Sequence, residues 1–206
     1  MPQCGGQSVI SGTRYRARVT RTNPSLPALI VCGPPASGKS TLGRALASRL
    51  GAALLDQDVL TGPLTAVVAQ LLGSDDLDSP ALARATRAAR YETLAAGAQD
   101  NLQIGRAVVL VAPYSTERRD PVAWKRLAER LSDAGGLATL VWLRVTGEEL
   151  LARMSERAAG RDRDKLGDPA AYLARTDLSE PIVPHVAVDA AADVDAQCGF
   201  VLARIS

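Results

Sequence analysis

From residue 28 onward, short aliphatic runs alternate with stretches of helical periodicity. That alternation predicts an α/β fold, a parallel sheet covered by helices on both faces. The candidate strands are 28–32, 52–55, 107–111, 138–143 and 185–188. Each is short, aliphatic and bounded by Gly, Pro or charged residues, as strands buried on both faces should be. Residues 39–50 place Leu42, Ala45, Leu46 and Leu50 on one helical face and close at Gly51, a natural C-terminal cap. Residues 61–72 and 80–103 read as a long helical stretch between the second and third strands, and 121–134 and 147–158 follow later strands. Ligands of such sheets lie outside the carboxyl ends of the strands, so those ends are where chemistry is expected.

A chain of 206 residues, 47% of them hydrophobic, suits one α/β domain over 28–206 preceded by an extension over 1–27. No apolar run has the length of a membrane span and no signal-peptide core opens the chain, so a cytoplasmic protein without a membrane partner is expected. The cysteines Cys4, Cys32 and Cys198 are scattered and match no metal spacing, and Cys32 ends an aliphatic run as a buried thiol would. The formal charge of +2 is too small to argue for nucleic acid, although Arg14, Arg16, Arg18 and Arg21 cluster before the first acidic residue, Asp56. They read as a solvated extension, or, from the alternation Arg-Tyr-Arg-Ala-Arg-Val-Thr, as an added edge strand.

Chemistry enters with Gly33-Pro34-Pro35-Ala36-Ser37-Gly38-Lys39-Ser40, which lies directly after an aliphatic strand and directly before an amphipathic helix. Gly-x-x-x-x-Gly-Lys-Ser in that context is a P-loop, the phosphate cradle of ATP or GTP sites. Glycines let the backbone curl so that successive N–H groups point at phosphate oxygens, and the helix N-terminus adds its partial positive charge. Lys39 is expected on the β- and γ-phosphates, Ser40 on Mg2+, and Thr41 as a further phosphate contact.

The third strand continues as Val108-Val109-Leu110-Val111-Ala112-Pro113 with no acid at its end, where a motor or switch NTPase usually carries one. The second strand instead ends in Leu55-Asp56-Gln57-Asp58. One of those carboxylates can help hold Mg2+ and the other can take the proton of an acceptor hydroxyl. The competing assignment is structural, with Asp58 capping the next helix and Asp56 polarising the turn.

Gly33 to Thr41, followed by Asp56-x-Asp58 and a later arginine-rich segment, resembles the small P-loop kinases: shikimate and gluconate kinases, chloramphenicol phosphotransferase and zeta-toxin-like sugar-nucleotide kinases. Residues 55–64, Val-Ala-Pro-Tyr at 111–114 and 161–166 resemble the "AAA domain" kinases of actinobacteria. The resemblance implies a P-loop three-layer sandwich with a five-stranded parallel sheet ordered 2-3-1-4-5. It implies Asp58 as base or acceptor-positioning group, Asp56 near the metal, and Mg2+ with ATP or GTP as cofactors. The partners implied are a nucleoside triphosphate and a small hydroxylated acceptor, a metabolite or an antibiotic, with the protein a monomer or homodimer. A lid over about 157–167 would bring Arg157 and Arg161 onto the transferring phosphoryl group.

Residues 61–103 should form the acceptor pocket. Arg84, Arg87, Arg90 and Tyr91 recur at helical spacing, and Arg90 is the candidate for an acceptor anion. Tyr114, just past the third strand, is placed to stack on a substrate ring, whereas Trp124 and Trp142 should pack in the core. His185, the only histidine, reads as structural, and the turn after Asp189 lies where related kinases bind adenine. A nucleotide-dependent regulator and a sugar-nucleotide kinase are the competing functions.

Overall fold

The computed structural model describes residues 25–73, 79–157 and 166–205. Its strands are β1 (Leu26–Cys32), β2 (Ala53–Asp56), β3 (Val108–Val111), β4 (Gly136–Arg144) and β5 (His185–Asp189). All pair in parallel, in the order β2-β3-β1-β4-β5. The helices are α1 (Lys39–Leu50), α2 (Gln57–Leu71), α3 (Pro80–Gln103), α4 (Pro121–Asp133), α5 (Gly147–Arg157), α6 (Pro169–Arg175) and α7 (Val194–Leu202). This is the three-layer P-loop sandwich that the residue pattern and the motif resemblance imply.

The period of two in β1 assigns the layers. Leu29 and Val31 face one side, joined by Val109, Val111, Val141 and Leu143, and pack on Leu42 and Leu46 of α1, Leu150 and Met154 of α5 and Val201 of α7. Ala28, Ile30 and Cys32 face the other side and pack with Leu110, Leu140 and Trp142 on Leu94 and Leu102 of α3 and Leu131 of α4. Burial pushes the Cys32 thiol up to about 12, which makes it an inert packing group. On the first face, α1 lies so close to the sheet that a Cβ on Gly43 would sit 2.4 Å from Val111 Cγ2. The helix carrying the loop lysine is thereby pressed against the strand whose end lines the site.

Helix α2 begins at Gln57, four residues before the start read from the sequence. Asp56 is its N-cap: one side-chain oxygen accepts the Asp58 N–H at 3.1 Å. The helix continues through Pro63, which removes one backbone donor, while Thr61 Oγ1 donates to the Gln57 carbonyl and Thr65 Oγ1 to the Thr61 carbonyl. His185 stays structural, with Nδ1 2.8 Å from the Val183 carbonyl, Nε2 3.2 Å from Glu180 and the ring edge-on to Trp142. Among the described residues no helix is long and apolar enough to cross a membrane. Arg14, Arg16, Arg18 and Arg21, with the edge strand proposed for them, lie outside the described residues.

Candidate functional site

The loop between β1 and α1 turns on three residues with positive φ: Gly33 (145°), Ala36 (62°) and Gly38 (97°). Gly38 is the N-cap of α1, and no side chain caps that helix, so its first N–H groups are left for an anion. Lys39 opens the helix and its Nζ donates to the Pro34 carbonyl at 2.6 Å, drawing the loop around the ammonium. Burial lowers the Lys39 pKa to about 8, and the facing Asp58 carboxylate only partly opposes that shift.

One residue further, Ser40 Oγ donates to Asp56 Oδ2 at 2.6 Å. Asp56 is 4% exposed and serves two elements with its two oxygens, the hydroxyl of α1 and the cap of α2. Asp58 stands in the first turn of α2 with its side chain exposed, and Arg90 Nη2 of α3 contacts its Oδ1 at 2.8 Å. Arg90 Nε donates to Thr61 Oγ1 at 2.9 Å. These groups open on a cavity of about 630 Å3 between the loop, α2, α3 and α5. Pro35, Ala36, Gly38, Lys39, Ser40 and Thr41 line its phosphate-cradle side together with Arg153 and Arg157. Gln57, Asp58, Gly62, Thr65, Arg90 and Pro113 line the opposite side. Gly33 and Pro34 are buried behind the cradle, and Ser37 turns to the far side of it.

A smaller cavity of about 210 Å3 on that far side is lined by Ser37, Thr41, Arg153, Ala190, Val194 and Gln197 among others, beside the turn after Asp189. Gln197 Nε2 holds that turn through the carbonyls of Asp189, Ala190 and Ala192. Arg153 bridges the two walls, donating to the Ser37 carbonyl at 3.1 Å and the Ala190 carbonyl at 2.5 Å. Arg153 stands one helical turn before Arg157 in the sequence, and that spacing is the signal that could have marked it.

Tyr114 requires a correction. It is 2% exposed and belongs to the core, its ring 5.3 Å from and edge-on to that of Tyr91, whose Oη accepts the Tyr114 N–H. A φ of 45° just past Pro113 turns the ring into the core, so Pro113 meets the cavity and the Tyr114 face is not there for stacking. Arg87 is engaged with Ser115 and Thr116 and lies over the Tyr91 ring, holding this turn from outside. Arg161 lies outside the described residues. Gln57, Gly62 and Thr65 were not singled out by sequence, although a glycine followed by proline inside a helical run was visible.

The sequence matches the AAA domain family over residues 29–176. No curated protein matches it. Among solved structures, it is similar to a protein of Chloroflexus aurantiacus j-10-fl provisionally described as a kinase, with 22% identity, TM-score 0.64, and coverage of 88% of this chain and 100% of the other. A gluconokinase from Sinorhizobium meliloti 1021 has 20% identity and TM-score 0.56, over 88% of this chain and 92% of that one. The Mycobacterium tuberculosis APS kinase CysC, solved with AMPPNP and APS, has 21% identity and TM-score 0.55, over 89% and 99%.

Proposed function

Since the chain belongs to the AAA domain family and has the fold of small-molecule P-loop kinases, we propose that it is an ATP- or GTP-dependent phosphotransferase acting on a hydroxyl of a small metabolite or antibiotic. One observation carries the reading: the Ser40–Asp56 pair and the Asp58 carboxylate open on the same cavity as Lys39 and the uncapped start of α1. A phosphate cradle thus faces a carboxylate suited to proton removal across a shared space.

The triphosphate is held by the loop N–H groups and Lys39, with Arg157 beside it in the cavity wall. Ser40 and Asp56 are hard oxygen donors of the kind that hold Mg2+ next to phosphates, and they would hold it here. The ion supplies charge neutralisation at the transferring group. Asp58 orients the acceptor hydroxyl and takes its proton as the oxygen bonds to the γ-phosphorus and the bond to the β-phosphate oxygen breaks. The nucleoside lies against the turn after Asp189, where Arg153 ties that turn to the cradle.

Incubation with γ-labelled nucleotide and pooled hydroxylated metabolites and antibiotics should move label onto a small product. Asp58→Asn should slow transfer by about 100-fold while leaving nucleotide affinity within a factor of about three. Transfer by that variant at the parent rate would remove Asp58 from the reaction. Label appearing only in free phosphate would point to a nucleotide-hydrolysing regulator.

A further inference from the structure

The acceptor side of the cavity presents groups of a particular chemistry. Its guanidinium, Arg90, is engaged within the protein through two of its three nitrogens: Nη2 contacts Asp58 Oδ1 at 2.8 Å and Nε donates to Thr61 Oγ1 at 2.9 Å. Thr61 is buried and its own hydroxyl donates to the Gln57 carbonyl at 2.6 Å, so it is a fixed anchor for the guanidinium. An arginine held by a carboxylate on one nitrogen and a buried hydroxyl on another offers its charge first to that carboxylate. An anionic acceptor arriving here would compete with Asp58 for Arg90 and meet the repulsion of Asp58 and Asp56.

The remaining groups suit hydroxyls. Gln57 is 4% exposed, lines the cavity, and its Nε2 has no hydrogen-bond partner. A buried donor left unsatisfied is costly, and a ligand oxygen beside Gln57 would satisfy it. A hydroxyl both donates and accepts, so it can give its proton to Asp58 while a neighbouring oxygen takes the amide N–H of Gln57. A carboxylate, sulfate or phosphate would also accept that N–H, but it has no proton to give Asp58 and meets the negative charge of Asp58 and Asp56. Gly62 supplies room: it sits inside a helix, where glycine is disfavoured, yet a Cβ there would meet nothing within 4 Å.

We propose that the acceptor is an uncharged polyhydroxyl compound seated against Gln57, Gly62 and Thr65, and that Arg90 is a positioning residue for Asp58 instead of a receptor for an acceptor anion. This rests on the phosphotransferase reading for the site, and its test separates the two. Binding is measured by calorimetry on the full chain loaded with a nonhydrolysable nucleotide, using polyols and aldoses against the aldonic acids of equal carbon number. The uncharged members should bind at least about tenfold tighter than their acid counterparts. Arg90→Gln should leave that affinity within about threefold and lower the transfer rate by about tenfold or more, with Arg90→Lys recovering part of the rate. Gly62→Val, which leaves Arg90 and Asp58 in place, should weaken the uncharged acceptor about tenfold and leave nucleotide affinity unchanged.

Tighter binding of the acids, with the preference lost in Arg90→Gln, would overturn the proposal. So would the absence of binding by both series. If uncharged acceptors bind as stated but no label is transferred to them, the phosphotransferase reading fails and the ligand assignment stands.

Discussion

Nucleotide binding to this protein should take up protons, because of the state in which the fold keeps Lys39. Its ordinary pKa of 10.5 is lowered to about 8 by burial. Lys39 is therefore about half deprotonated at pH 8 and about one-tenth deprotonated at pH 7. A triphosphate on the cradle places several negative charges beside the amine and restores its pKa toward the ordinary value. Binding then requires about half a proton at pH 8 and about a tenth at pH 7. The sign follows: affinity is flat below pH 7 and falls as pH rises through 8, by about tenfold per unit until the bound-state pKa is reached. Calorimetric titration of a nonhydrolysable triphosphate with Mg2+, at pH 8 in two buffers of different ionisation enthalpy, gives the proton number from the difference in observed heat. Lys39→Gln should abolish the uptake. No uptake by the parent at pH 8, or equal uptake by the variant, would refute the assignment of both the lowered pKa and the phosphate contact to this lysine.

Four more outcomes follow from packing and hydrogen bonding. Gly43→Ala forces a methyl to within 2.4 Å of Val111 Cγ2 and should cost about 1–3 kcal/mol in urea unfolding, whereas Gly62→Ala should gain about 0.5–1 kcal/mol because its new methyl meets nothing. Arg118 is 3% exposed, contacts the Asp177 carboxylate at 2.8 Å and donates to the carbonyls of Asp177 and Ser179. Arg118→Ala should lower stability by about 1–3 kcal/mol, chiefly through the carbonyls left without a donor, read by calorimetric unfolding. Arg153→Ala removes the tie between Ser37 and Ala190 and should weaken nucleotide binding about tenfold in a fluorescent-nucleotide titration, with acceptor affinity unchanged.

Legibility in the sequence tracked the distance over which each interaction acts. The cradle was readable because its chemistry is contiguous: strand, six-residue loop and helix follow one another from Leu26 to Leu50. The five strands were readable because all are aliphatic, and their order came with the motif resemblance. Local competition blurred the start of α2, where Asp56 caps a helix that apolar periodicity placed at residue 61. Tyr114 failed for a geometric reason: a strand end promises exposure, but a single positive φ sends the ring inward, and no residue type signals that at a tyrosine. Pairings such as Arg90 with Asp58, 32 positions apart, and Arg153 with Ser37, 116 apart, come from packing and have no local sign.

Asp56 shows why the two halves of the candidate site were separately visible while their coupling was not. The sequence offers this residue both to a metal and to the turn before α2, two assignments that look like rivals. In the structure they are compatible, because a carboxylate has two oxygens: Oδ2 accepts from Ser40 on α1, and Oδ1 accepts the Asp58 N–H at the head of α2. One planar, buried group therefore links the helix that carries Lys39 to the helix that carries Asp58. The backbone of α2 that carries the proposed base cannot move relative to Ser40 without breaking one of these bonds. Arg90 then fixes the Asp58 side chain from α3, and Thr61 fixes Arg90. Preorganisation of this kind sets reacting groups in place before ligands arrive. Through Asp56, the placement of α2 against α1 sets where the Asp58 backbone stands relative to Ser40.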